Sequence, residues 1–205
     1  MKDYVSQLRI LCSRLDLDDW NFCYAAYILH FVQNKWPDEL HSCIVPGCLM
    51  IAAKRHRAEG GGTYVNSRDI CNVLNGDRNV HRLYLHTIEL LILRCIQYRC
   101  NFVWPHKYAM CVLRSMRSNP NTCNLVFSML TDSFHCSKLA LLSDHRPLAL
   151  ACCYVAIRSM ESTDIVNNWI DRMFRDAFVQ TNQDREDIIE MIDILNNMYK
   201  ELNSS

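Results

Sequence analysis

Glycine and proline are scarce, at five each in 205 residues. Folds made of many short strands need such turn residues in quantity, so their scarcity favours long helices. No Cys-x-x-Cys pair occurs among the twelve cysteines, which removes the usual support for a zinc site or a thioredoxin-like centre. The longest apolar run, Leu148 to Ile157, has ten residues. A bilayer span needs about 20, so this run is expected to be a central helix buried on all sides and no membrane contact is expected. Neither charge sign is in excess, with 22 Lys plus Arg against 22 Asp plus Glu. The basic footprint of a general nucleic-acid binder is therefore missing. No nucleophile elbow, His-Glu-x-x-His or phosphate loop appears. His86 and His106 sit among apolar or aromatic neighbours and read as core or surface residues, so no catalysis, cofactor, metal or small-molecule ligand is expected. The start Met-Lys-Asp-Tyr has no apolar signal region. Most cysteines lie inside apolar helical runs, where a free thiol packs like a small hydrophobe. They are expected to be reduced, in a nuclear and cytoplasmic setting.

What is present is helical periodicity. Trp20, Cys23, Tyr24, Tyr27, Ile28, Phe31 and Val32 mark one helix face, closed by Pro37. Further helices are expected from about Pro46 to Arg57, stopping at Gly60-Gly61-Gly62, and from Asn66-Ser67, either of which can cap, to about Gly76. Others run from Val80 to Tyr98, from Pro105, from Thr122 to His135, and from Pro147. A shorter helix carries Val166, Trp169, Ile170, Met173 and Phe174, and the last opens at Asp184. Tyr64-Val65 and Asn101 to Trp104 read as extended connectors. Three features recur at a spacing of 101 residues: Pro46 and Pro147, Ile88-Glu89 and Ile189-Glu190, Tyr98 and Tyr199. This fits two copies of a five-helix unit, assigned to residues 1–117 and 118–205, with a linker near Arg117 to Asn121.

Two short stretches carry the functional signal. Cys48 to Lys54 is an apolar helical run ending on a lysine, and Glu89 interrupts the apolar run Tyr84 to Leu93. A charge inside such a run is costly unless paired, so Lys54 and Glu89 are candidates for a polar pair. Near a helix end, Lys54 is expected to accept charge reversal within about 1 kcal/mol.

Ala52-Ala53-Lys54, Ser67-Arg68-Asp69-Ile70, Ile88 to Leu93 and Pro105-His106-Lys107-Tyr108 together resemble the cyclin family, and Tyr27-Ile28-Leu29-His30-Phe31 resembles its transcription-type and orphan branch. The resemblance implies an all-α fold of two tandem five-helix cyclin boxes. It implies a non-catalytic regulatory subunit that binds and activates a cyclin-dependent Ser/Thr kinase, cyclin-dependent kinase 10 or a transcription-type relative. The kinase-binding residues it implies are Lys54 and Glu89, with Arg55 and Arg57 beside them. Kinase-activating cyclins commonly follow the lysine with an acidic pair, whereas here Arg55, His56 and Arg57 follow it. They could meet acidic groups on a partner or form a solvated helix end. A scaffold that holds a kinase without activating it, and a cyclin-box transcription factor, are the alternatives. Arg14-Leu15-Asp16-Leu17 fits a short destruction-box pattern, but the segment is expected to pack against the fold.

Overall fold

The computed structural model describes residues 4–33, 35–36, 41–62, 65–74, 78–99, 102–160 and 182–204. The described residues are all-helical, with no strand among them. The helices are α1 (Tyr4–Arg14), α2 (Asp19–Gln33), α3 (His41–Ala58), α4 (Ser67–Val73), α5 (Arg78–Cys95), α6 (Pro105–Ser115), α7 (Pro120–Ser133), α8 (Ser137–Ala140), α9 (Arg146–Met160) and α10 (Asn182–Ser204). The expected helix at Val166 to Phe174 lies outside the described residues.

The chain divides into two compact units, Met1–Phe102 and Val103–Ser205. The sequence reading had put the division at 117/118. The difference is α6, which packs against α7 and α9 and so belongs with the second unit. The 101-residue spacing accounts for this. Shifting α1 by that amount gives 105–115, the span of α6, and shifting α2 gives a range that overlaps α7. The first unit thus opens with α1, a helix that is absent from those expected from the sequence.

In the first unit α3 is the hub, packed against α1, α2 and α5. Ile44, Cys48, Leu49 and Ala52 are fully buried along it, and each large aliphatic side chain so placed contributes about 1.5–3 kcal/mol. The helix begins at His41 rather than at Pro46, which therefore lies inside it. Burial of Ile44 and Val45 offsets the hydrogen bond that the proline cannot donate. Helix starts follow local chemistry. Asp18 Oδ1 accepts the Asn21 N–H at 3.1 Å to open α2. Asn66, not Ser67, caps α4 in a reciprocal capping box with Asp69. Between α1 and α2, Asp16 adopts φ 52°, and Leu15 and Leu17 pack on buried residues of α3 and α4. The destruction-box pattern is thus held in the fold, as expected.

The second unit repeats the plan around α9, which packs against α6, α7 and α10. The run Leu148 to Ile157 is buried except at Tyr154 and Val155, which are half-buried. The expectation of burial on every side fails at these two, and the Tyr154 hydroxyl instead accepts from Arg158 at 3.4 Å. Among the described residues, no helix is long and apolar enough to cross a membrane.

Candidate functional site

The structure brings Lys54 and Glu89 together from α3 and α5. The Lys54 ammonium donates to both carboxylate oxygens of Glu89, at 2.6 and 2.7 Å. The two partners differ sharply in exposure: the Glu89 side chain is 10% exposed and that of Lys54 is 54%. An almost buried carboxylate therefore fixes a half-exposed ammonium whose third proton remains available. His86 Nδ1 lies 3.4 Å from Glu89 Oε2 and adds a second contact on α5.

Close approach of the two helices is set by Gly47. A Cβ there would stand 2.7 Å from Ile92 Cδ1 and 2.8 Å from Ile88 Cγ2, closer than packed carbons allow. Gly47 and Lys54 are seven residues apart, on one face of α3. The sequence reading passed over Gly47, because a lone glycine within a helical pattern carries no signal of its own.

The basic run after Lys54 does not form one cationic edge. Arg55 Nε donates to Glu59 Oε1 at 2.9 Å within α3. His56 turns inward: its ring stacks on Trp20 at 4.4 Å, its Nδ1 lies 3.2 Å from Asn21 Nδ2 and 3.5 Å from Asp18 Oδ2. The glycine turn accommodates this ring, since a Cβ at Gly62, where φ is +73°, would meet His56 Nδ1 at 2.4 Å. Arg57 is exposed but not free of interactions. Of the four residues singled out by sequence, the structure joins Lys54 and Glu89, and places Arg55 in a separate local ion pair.

Two residues that follow Glu89 on α5 were not singled out by sequence. Leu90 and Leu91 are 43% and 40% exposed, although α5 buries Leu85, Ile88 and Ile92. The signal was present, since leucines off the buried 3.6-residue stripe have no core to fill. Among the described residues, no group of three His, Cys, Asp or Glu is placed to hold a metal.

His145 stacks on Phe134 and its Nε2 lies 3.3 Å from the Ala140 carbonyl. Burial pushes its pKa below the usual histidine value. Burial likewise pushes the Cys12 thiol up to about 12 and raises Cys48, Cys152 and Cys153 further, so these thiols stay protonated and unreactive.

No family model matches this chain, and no curated protein matches it. Its fold does match solved structures. A chain of the yeast RNA Pol II CTD kinase CTDK-1 complex aligns over 96% of this chain at 18% identity, with TM-score 0.73. A chain of the CAK complex from Chaetomium thermophilum bound to ATP-γ-S aligns over 97% at 15% identity, with TM-score 0.71. The present chain spans 65% and 61% of those two chains, less than two thirds of either. A viral cyclin from herpesvirus saimiri aligns over 95% of this chain and 83% of its own length, at 14% identity and TM-score 0.71. At such identities the likeness establishes the fold: two tandem all-α units of the cyclin type.

Proposed function

We propose that this chain is a kinase-binding regulatory subunit whose first unit grips a cyclin-dependent Ser/Thr kinase. The observation that carries the reading is the Lys54–Glu89 pair. A buried carboxylate holding a half-exposed ammonium by both oxygens makes a rigid donor suited to the backbone carbonyls of a partner helix. Leu90 and Leu91 leave exposed apolar surface elsewhere on α5. Binding only the inward position of the kinase's mobile helix shifts the kinase population to its active state. The kinase then completes its own Lys–Glu ion pair, and this chain contributes no catalytic atom.

Within that class, Phe102 to Tyr108, Leu130 to His135 and the alanine-rich segment from Pro147 resemble cyclin Q, also called cyclin M. Cyclin-dependent kinase 10 is the partner proposed on that resemblance, in the nucleus and cytoplasm. The scaffold alternative rested on a basic edge at residues 55–57. The Arg55–Glu59 pair and the inward His56 remove much of that edge, which favours the activating reading.

The test is reconstitution with purified cyclin-dependent kinase 10 and a transcription-type relative, reading co-purification and phosphorylation of a generic substrate. Binding with activation supports the proposal. Binding without activation makes the chain a scaffold. Absence of binding to either kinase, with a salt-sensitive shift of duplex DNA, favours the transcription-factor alternative and sinks this one.

A further inference from the structure

Away from the Lys54–Glu89 pair, the first unit holds a cavity of about 420 Å3 between the C-terminal ends of α2 and α5. This lies within the roughly 300–1,000 Å3 of ligand-sized clefts. Its apolar lining is graded: Ile28 and Ile96 are buried, Tyr27 is half-buried, and Phe31 keeps 38% exposure.

The charged lining has a single sign. Lys35 and Arg99 both line the cavity and both are exposed. Among the described residues no carboxylate lines it, and neither cation forms an ion pair. Lys35 Nζ stands 4.2 Å from the centroid of the Phe31 ring, so this cation rests on an aromatic face rather than on an acid. The chain as a whole has no net charge, and Arg9, Lys54, Arg55 and Arg146 each find a carboxylate. Two cations thus meet one apolar cavity with no acid among the described residues that line it.

The backbone that presents Arg99 is also unusual. Gln97 and Tyr98 both adopt left-handed φ values, 54° and 57°, a conformation that costs L-residues about 1–2 kcal/mol each. Tyr199, 101 residues later, stays in helix α10 and donates its hydroxyl to Asp132. Tyr98 is instead 59% exposed, and its two neighbours, Gln97 and Arg99, line the cavity.

We propose that this cavity docks an acidic peptide segment of a partner protein. An apolar side chain of the peptide enters against Ile28, Phe31 and Ile96, and flanking carboxylates meet Lys35 and Arg99. Charge complementarity selects the occupant, because a basic or neutral segment would leave both cations facing like charge or no charge.

The experiment is a selection from a library of random short peptides displayed on phage, using the whole chain as bait. It is run in parallel on Lys35→Glu/Arg99→Glu and on the milder Lys35→Met/Arg99→Met. The wild type is expected to enrich a leucine or phenylalanine flanked by aspartate or glutamate. The best peptide, titrated by fluorescence anisotropy, should bind about tenfold or more weakly to the charge-reversed variant, and its affinity should fall with salt. Failure to enrich acidic peptides overturns the proposal. So does enrichment that survives both double variants, or equal binding of a peptide with lysines in place of the acids. Both positions are exposed, and circular dichroism checks that the variants keep their helices. Kinase co-purification should be unchanged in these variants, and peptide binding should be unchanged in Lys54→Met, so the two assays can fail independently.

Discussion

Replacing Lys54 by methionine tests whether the pair is a stability element, a contact, or both. The methionine keeps the length of the lysine stem but removes the ammonium. Glu89 then keeps its carboxylate at 10% exposure with only the 3.4 Å contact to His86. Exposed pairs are worth about 0–1 kcal/mol, and stranding one partner of a fully buried pair costs about 3–5 kcal/mol. With one member buried and the other half-exposed, about 2 kcal/mol is expected. In a chain of this size that lowers the melting point by roughly 4–8 °C. Lys54→Glu should cost more, because it faces one carboxylate with another. The helix-end argument, which put that change within about 1 kcal/mol, leaves out that Lys54 is bound across to Glu89 on α5. The double variant Lys54→Met/Glu89→Gln should regain most of the loss, because no uncompensated charge remains, yet should still fail to bind the kinase. A double-mutant cycle on thermal or urea unfolding, read beside kinase titration, separates the two effects. Equal stability of the single and double variants would refute the energetic reasoning. Kinase binding by the double variant would refute the site.

Three further outcomes are expected. Gly47→Ala gains about 1 kcal/mol of helix propensity but forces its Cβ into Ile88 and Ile92; overpacking costs about 1–3 kcal/mol, so thermal melts should show net destabilisation and kinase titration a weaker grip. Thiol titration of the denatured, unreduced protein should find all twelve cysteines free, while the native protein should shield buried Cys12, Cys23, Cys48, Cys71, Cys152 and Cys153 and react fastest at exposed Cys111; a lower denatured count would show disulfides. Because burial lowers the His145 pKa below the ordinary 6.5, the unfolded chain takes up a proton there before the native one does. Stability from this group is therefore full above about pH 6.5 and is lost as pH falls towards its folded value. His145→Gln should flatten the dependence of urea-derived stability on pH below 6.5 by up to about 1.4 kcal/mol per unit, and an unchanged slope would contradict the assignment.

The pair was legible in sequence for a definite reason. Glu89 interrupts an apolar run, and burying an unpaired carboxylate is too costly for chance, so a partner had to exist. The 101-residue spacing was equally visible, yet the division was placed at 117/118. The missing step was α1, a short helix whose buried residues Val5, Leu8, Leu11 and Cys12 form one stripe. Once α1 is counted as the first helix, the same spacing puts its counterpart at α6. The inward turn of His56 was not legible at all. It depends on Trp20 and Asn21 of another helix and on the glycine turn beneath the ring, and no local pattern in Lys54 to Arg57 encodes those contacts.

The two units share a helix plan but not its chemistry. At the spacing of 101, Lys54 corresponds to Val155 and Glu89 to Glu190. Val155 is half-buried, and Glu190 is exposed without an ion pair among the described residues. A carboxylate in water, with no cation opposite it, neither anchors two helices nor presents a donor to a partner. Nothing in the helix plan itself therefore requires a charged pair at these positions, because α9 packs against α10 with Val155 at the place of Lys54. What the first unit adds is a polar anchor at the cost of desolvating Glu89, which is reasonable for a contact and wasteful for mere packing. Glu190→Ala should accordingly change kinase affinity by well under the roughly 2 kcal/mol of an interface hot spot, and Glu89→Ala should exceed it in a parallel titration against the same kinase. Equal losses would mean that both units share the interface, and the assignment of the grip to the first would have to be abandoned.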